Sequence, residues 1–368
     1  MIRIATVGSM RIAAGAALVC WCVAARAADT TGAADDAKAG ADTPLPPSWP
    51  LVLLAQGEAL VASSPVRPGD PPEGASLRVR RVRVGESIAG RRFGLRAVLE
   101  AQSPDAAGDH FAPVDGGRLE GPLRVTEAFA SWTPQRIFHL DAGAIRVPFS
   151  LTRQVDEADL RLPERSAPAR TLAPDFLVGA GIGGDFGAME YAAAVMSASR
   201  WLDGDLFDRG VLASVRLAAD PIGPVGPTPW RRAPDDPWTD WLRFRHGLSF
   251  MYGTLYEAKT IGAGTDLSVQ WRRFSVTSEY IFVHAPSGNQ QGAVVEPGVT
   301  LLARRLDIVA RGEWLHAAGA NGWGGGAALT TYARDSHVRL QAGFERQTGP
   351  GALAASSYGL VRLTFAID

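Results

Sequence analysis

The sequence predicts an all-β protein, a transmembrane antiparallel up-and-down β-barrel of about sixteen strands, and three observations carry that prediction. Apolar and polar residues alternate with a period of two from Trp49 almost to the C-terminus, the mark of strands with unlike faces. The connections between these stretches sort into long and very short ones. After the N-terminal segment no second long apolar run follows, and mean hydropathy is zero, so a helical membrane protein is excluded. Alternation alone would also suit a soluble β-sandwich. Sorted connections would not, whereas a membrane barrel has short periplasmic turns and long extracellular loops.

The N-terminal segment carries Arg3 and Arg11, then the apolar run "IAAGAALVCWCVAA", then "ARA" ahead of Ala28. This is the plan of a cleaved secretory signal peptide over residues 1–27. The run is shorter than a membrane-spanning helix and lacks a stop-transfer flank. Cys20 and Cys22, the two cysteines, both fall inside it, so disulfide, thiolate-metal and cysteine-nucleophile chemistry are excluded from the mature chain. Without this segment, which holds three arginines and no carboxylate, 34 basic and 38 acidic side chains remain, too balanced to argue for nucleic acid. Only Lys38 and Lys259 are lysines, so the positive charge is almost all arginine, which stays ionised and offers a planar fork to carboxylates and phosphates. Residues 28–48, small, polar and proline-containing, read as a flexible periplasmic leader, and 49–368 as the barrel.

In order, the predicted strands are 49–62, 76–88, 91–102, 123–132, 137–147, 176–184, 188–197, 210–219, 241–254, 264–272, 274–284, 292–303, 305–315, 323–334, 337–347 and 356–367. In "HVRLQAGFER", Val338, Leu340, Ala342 and Phe344 oppose Arg339, Gln341 and Glu345; in "LDIVARGEW", Leu306, Ile308 and Ala310 oppose Asp307, Val309 and Arg311. "FSVTSEYIF" sets Phe274, Val276 and Tyr280 against Ser275, Thr277 and Glu279, and "IFHLDAGAI" sets Phe138 and Leu140 against His139 and Asp141. Among connections, "SPVRPGDPPEGA" is followed by "AG", and the segment 148–175 by "DFG". Further on, "LYEAKTIGA", "APSGNQQG" and "HAAGANG" read as long connections, each answered by a turn of one or two residues. Residues 220–240, long and proline-rich, break the rule at a periplasmic position.

From about residue 76 to the C-terminus the chain resembles the phosphate-selective porin O and P family of outer-membrane proteins. The resemblance rests on "LRVRRVRVGESIAGRRFGLRAVLE", "EAFASW", and the run from "LDAGAIRVPFS" through "ERSAPARTLAPDF" to the glycine-rich "LVGAGIGGDFG", with "DLSVQWRRFSVTSEYIF" and "RDSHVRLQAGFER" later. It implies a sixteen-stranded barrel in the outer membrane of a Gram-negative bacterium, usually a homotrimer embedded in lipid, passing small hydrophilic solutes and in some relatives anions such as phosphate. Two features depart from the family: lysine is nearly absent, and the last residues after Phe365 are Ala366, Ile367 and Asp368 rather than an aromatic terminus.

A passive pore needs no catalytic group, cofactor or metal, only a lumen whose width and charge decide what passes. Arg81 and Arg83 alternate with Val82 and Val84, and Arg96 faces away from Leu95 and Ala97, so these arginines are candidates to line the lumen. On the lipid face near the midplane each would cost about 2–4 kcal/mol. They could form an anion path or pair with carboxylates such as Glu100 and brace the wall. The third long connection carries Arg153, Arg161, Arg165 and Arg170 against Asp156, Glu157, Asp159 and Glu164. It could fold inward and set a transverse field, or remain a solvated loop.

Two other classes stay open at this point. Gly179, Gly181 and Gly184 match G-x-G-x-x-G, which in a secreted soluble oxidoreductase would cradle a dinucleotide. That fingerprint needs a helix after the strand, whereas every neighbour here is an alternating strand. Glycines 179, 181 and 183 would then form a bare patch of wall that another element approaches closely. A plugged barrel serving as an anchor or adhesin is the third class. The six scattered histidines form no H-E-x-x-H pair, no G-x-S-x-G occurs, and "VDEADL" lacks the glycine and spacing of a calcium loop.

Overall fold

The structure, a computed structural model, describes residues 51–62, 74–90, 92–102, 123–156, 159–198, 210–222, 242–255, 258–301, 306–333, 338–348 and 356–367. The expected signal peptide and leader lie outside them, as does most of the proline-rich connection 220–240.

Sixteen strands follow in chain order: β1 Leu51–Ala62, β2 Gly74–Ala89, β3 Phe93–Gln102, β4 Leu123–Gln135, β5 Phe138–Arg146, β6 Phe176–Asp185, β7 Met189–Ser197 and β8 Val211–Ile222. Then come β9 Arg243–Leu255, β10 Ala258–Trp271, β11 Phe274–Ala285, β12 Gly288–Leu301, β13 Leu306–Ala317, β14 Ala320–Tyr332, β15 Val338–Thr348 and β16 Ser356–Ile367. Each pairs antiparallel with its sequence neighbours, and β1 closes on β16 with Leu53 opposite Ile367 and Ala62 opposite Tyr358. Two short helices, α1 Leu151–Gln154 and α2 Ala167–Leu172, lie between β5 and β6. None of the described helices is long and apolar enough to cross a membrane.

Polarity is distributed in reverse of a water-soluble protein. Phe93, Tyr252 and Trp323 are more than 60% exposed, at 68%, 61% and 64%, whereas Arg81, Arg153, Arg161 and Arg362 rank among the largest fully buried side chains. Alternation explains it: the outward face of the strands is apolar, and the inward face is largely polar apart from an apolar patch around Met196, Leu212, Met251 and Ile281. Aromatic pairs mark both rims of the outer face. Phe93 stacks on Trp132 at 6.4 Å and Trp271 on Phe274 at 6.4 Å near the short turns, and Trp314 meets Trp323 at 6.2 Å near the opposite rim. Such girdles suit the two interfaces of a bilayer.

The connections are less cleanly sorted than the sequence predicts. Long ones persist after β1, β3, β5 and β7, but β9–β10, β11–β12 and β13–β14 are hairpins closed by two residues. "LYEAKTIGA", "APSGNQQG" and "HAAGANG" are therefore mostly strand. The physical reason is weak contrast: Thr260–Gly262 and Asn289–Gly292 continue the ladder without a strong apolar–polar alternation, so the sequence ends those strands early. At β13–β14 the turn is made by Ala318 and Gly319, both in the left-handed region at φ 52° and 77°.

One irregularity matters for the lumen. In the β1–β2 ladder Gln56 faces Arg81 and Gly57 faces Val79, so Arg80 is an extra residue, a β-bulge. Arg80 and Arg81 are consecutive, yet both are buried inside the barrel.

Candidate functional site

The segment 147–175 does not stay outside; it folds into the barrel. Its ends are clamped together by the Val147 N–H donating to the Asp175 carbonyl at 2.8 Å. Ser150 caps α1 by accepting from the Arg153 N–H, and Ser166 caps α2 by accepting from the Ala169 N–H. Both helix starts still have amide donors to satisfy. Wall carboxylates take them: Glu279 of β11 accepts from the Leu151 N–H at 2.7 Å, the Thr152 N–H at 3.3 Å and the Thr152 hydroxyl at 2.7 Å. Glu313 of β13 accepts from the Ala167 N–H at 2.9 Å.

Apolar and ionic contacts share the seating. Val147, Phe149, Leu172 and Ala173 are buried in one cluster with inward residues such as Met196, Leu212, Met251 and Ile281. Arg161 donates through Nε and Nη2 to both oxygens of Asp307, at 2.8 and 2.7 Å, and through Nη1 to the Ser275 hydroxyl at 2.7 Å. Glu164 accepts from Arg80 at 2.8 Å and from Arg362 at 2.7 Å, while Arg362 also holds Glu58 at 2.7 Å. Arg339 and Gln341 donate to the Leu160 carbonyl at 2.8 and 3.0 Å. Glycine makes the facing wall bare where the segment docks. A Cβ on Gly298 would overlap the Arg161 guanidinium, and one on Gly292 would lie 2.7 Å from Pro168.

The seven arginines expected at the lumen all lie on the inner side, in different roles. Arg83 is hydrogen-bonded to Glu100, and Arg81 lies 3.7 Å from the same carboxylate, the bracing arrangement. Arg96 donates to Glu127 at 2.5 Å. Arg153 donates to the carbonyls of Ala169 and Arg170, each at 3.1 Å, with Asp175 at 3.4 Å. Arg165 donates to the carbonyls of Thr152 and Val155, and Arg170 reaches Gln347 at 3.5 Å. Arg161 is the bidentate partner of Asp307. Of the acidic group opposed to them, Glu157 lies outside the described residues.

Burial pushes the Arg153 and Arg165 guanidiniums down to about 10, against the pull of Asp175 and with Arg146 adding repulsion to both. Both stay charged at neutral pH. Burial raises the Asp156 carboxyl, but Arg146, through charge and hydrogen bond, then Arg83 and Arg165, together outweigh it and hold Asp156 below the usual carboxylate range.

On the other side of this segment, against the wall of β3–β7, a cavity of about 400 Å³ remains. Arg96, Glu127, Asp141, Arg146 and Asp156 supply its charge and His139 a further polar group, with Phe129 and Phe176 among its apolar lining. Arg146 donates to Asp156 at 2.5 Å and its guanidinium lies 4.9 Å over the Phe176 ring. Arg80 and Arg146 escaped the sequence reading because strict alternation places them on the wrong face. The doublet Arg80–Arg81 was the one available signal for the bulge. Arg216 with Asp266, Arg245 with Glu190, and Arg311 with Glu296 are further lumen pairs, at 2.6, 2.7 and 2.7 Å.

The glycine motif is wall, not a nucleotide cradle. Gly179–Gly184 lie in β6, which turns at 186–188 into antiparallel β7, with no helix following. The close approach at these glycines comes from neighbouring strands: a Cβ would lie 2.7 Å from Met196 Cγ at Gly179, 3.2 Å from Ile145 at Gly181 and 2.5 Å from the His139 ring at Gly183. Among the described residues no group of three His, Cys, Asp or Glu side chains is arranged to hold a metal ion.

A closed sixteen-stranded barrel with an apolar exterior, a charged interior and a long segment folded inside has the architecture of an outer-membrane porin. Solved structures agree. The chain is similar to OprB of Pseudomonas putida (TM-score 0.60, 9% identity, 87% of this chain and 94% of that one) and to an anion-selective porin from Comamonas acidovorans (0.56, 10%, 87% and 100%). It is also similar to the trimer form of OmpT, an outer membrane protein of Vibrio cholerae (0.54, 10%, 87% and 99%). No protein-family model matches the chain. No curated protein matches it by sequence.

Proposed function

We propose that the protein is an outer-membrane porin, a water-filled channel for passive diffusion of small hydrophilic solutes with a mild preference for anions. One observation carries this reading: the inserted segment fills one side of the lumen and leaves a charged cavity of about 400 Å³ along β3–β7. Arg96 and Arg146 line that cavity, and Arg146 is electrostatically coupled to Arg153 and Arg165 of the inserted segment, whose values it helps to lower. Asp156, Asp175 and Glu100 offset much of this charge, hence mild rather than strong selectivity. The similar barrel from Comamonas acidovorans is described as anion-selective, which supports the same direction.

Phosphate as a solute, and kinship with the phosphate-selective porin O and P family, form the finer part of the proposal. Their support is that the family-like elements fall on the anchors of the inserted segment. In "VPFS", Val147 and Phe149 enter the apolar cluster and Ser150 caps α1; in "ERSAP", Glu164 is gripped by arginines, Ser166 caps α2 and Pro168 rests on Gly292. Assembly into a homotrimer in lipid is proposed on the exposed apolar exterior and on the trimer form of the similar OmpT.

The test is a reversal potential across a planar bilayer with a potassium chloride gradient. The expected result is chloride favoured over potassium by roughly two- to fivefold, a fraction of one tenfold step. Cation preference overturns the arginine argument, and an inserted protein that carries no current overturns the channel.

A further inference from the structure

The charged groups around the cavity come as acid–base pairs, and the pairs are not equal. Arg96 with Glu127 and Arg146 with Asp156 are joined at 2.5 Å. His139 and Asp141 lie 3.5 Å apart, at the limit of a hydrogen bond, and their side chains remain 37% and 26% exposed. Among the described residues Asp141 is thus the lining carboxylate without a close guanidinium partner, and its acceptor capacity is turned to the cavity.

Register fixes where the opposite charge lies. Arg96 of β3 is opposite Phe129 of β4, and Ser131 of β4 is opposite Asp141 of β5, so Arg96 and Asp141 are offset by two strands and two residues. Standard strand spacings put their backbones about 12 Å apart, and the arginine side chain covers much of that distance. Phe129 stands between the two, and Phe176 adds a second aromatic face.

We propose that this cavity is a subsite for small zwitterionic solutes, free amino acids or dipeptides, with the carboxylate directed to Arg96 and the ammonium to Asp141. The inference rests on the channel reading above. A solute of one sign is attracted by one member of each pair and repelled by the other. A neutral sugar leaves these charges partly desolvated with weak compensation. A zwitterion satisfies both, and its short apolar body meets the aromatic faces. The volume lies within the range of small-molecule sites. A mild preference for chloride is compatible with this, because a small ion samples the whole lumen whereas a solute filling the cavity meets the pairs together.

The experiment is single-channel recording with glycylglycine, succinate or ribose added at equal concentration to the full-length protein. Glycylglycine is expected to reduce the current saturably and to do so at roughly tenfold lower concentration than either of the others. Asp141→Asn removes that advantage, and Arg96→Gln, a second variant that does not touch Asp141, does the same. Lys259→Gln, exposed on β10, keeps it. Equal effects of the three solutes on a conducting wild-type channel overturn the subsite alone, as does a retained glycylglycine advantage in both lining variants. A protein that inserts and carries no current overturns the channel reading and the subsite with it.

Discussion

The two sides of the lumen are built from the same residue types and do opposite things. Along β11–β16 and around to β2, inward arginines and carboxylates grip the inserted segment: Asp307 takes Arg161, Arg80 and Arg362 take Glu164, and Glu279 and Glu313 take the helix starts. Along β3–β7 the strand ends nearest the segment join its apolar cluster through Ile145, Leu177 and Met196, while the inward charges beyond them pair with one another or with the segment's near edge and leave open space. Glycines placed under the segment, Gly292 and Gly298, let it come close to the first wall. On the second side Gly179, Gly181 and Gly183 are filled by side chains of adjoining strands instead. Charge composition alone therefore does not say where a lumen is open; where bare wall meets a complementary segment does.

That contrast is broken most strongly at Arg161. Asp307→Ala leaves a buried guanidinium without its bidentate carboxylate, a loss on the order of 3–5 kcal/mol. The expected outcome is a displaced segment, seen as a several-fold rise in single-channel conductance and new protease cleavage within 147–175. Gly298→Val reaches the same state by sterics, since its side chain would overlap the Arg161 guanidinium. Next comes Glu279→Ala, which leaves the Leu151 and Thr152 donors at the start of α1 without their acceptor at about 1–3 kcal/mol and is expected to add open-channel noise while the barrel stays folded by circular dichroism.

A smaller effect is expected on the open side. Arg96→Gln removes a partly exposed guanidinium from the buried Glu127, so a stability loss smaller than that of Asp307→Ala accompanies a move of the reversal potential toward cations. Acid gives the smallest effect over the working range. Asp156 is ionised more readily in the folded segment than in an unfolded chain, so its contribution is complete above about pH 4 and is lost as pH falls through its lowered value. The share of channel noise that depends on Asp156, read as the difference from an Asp156→Asn variant, should be flat from neutral pH to about 4 and change only below that.

Much of the barrel was legible in the sequence because alternation is local. All sixteen strands were readable, and so was the inward face of β11, β13 and β15, where apolar and polar residues contrast sharply. Three hairpins were read short where Ala, Gly and Thr blur the contrast. Arg81, Arg83 and Arg96 were legible as inward residues, and Glu100 as a partner for the first two. The seating of the inserted segment was not, because its partners lie far off in sequence: Arg161 and Asp307 are 146 residues apart and meet only when the barrel closes. The glycines at 292 and 298 look in sequence like weak points of a strand, and their purpose appears only with Pro168 and Arg161 against them.

The central claim, a lumen occupied on one side and open along β3–β7, is most directly tested by thiol accessibility. His139→Cys and Thr330→Cys place thiols on opposite inner walls of the barrel, whose residues 49–368 hold no cysteine of their own, the first at the cavity and the second where the Thr330 hydroxyl donates to the Arg161 carbonyl at 3.2 Å. A charged methanethiosulfonate reagent added to a conducting channel should reduce the current of the His139 variant and leave the Thr330 variant unchanged. Rapid block of the Thr330 variant with the His139 variant unaffected would contradict the account.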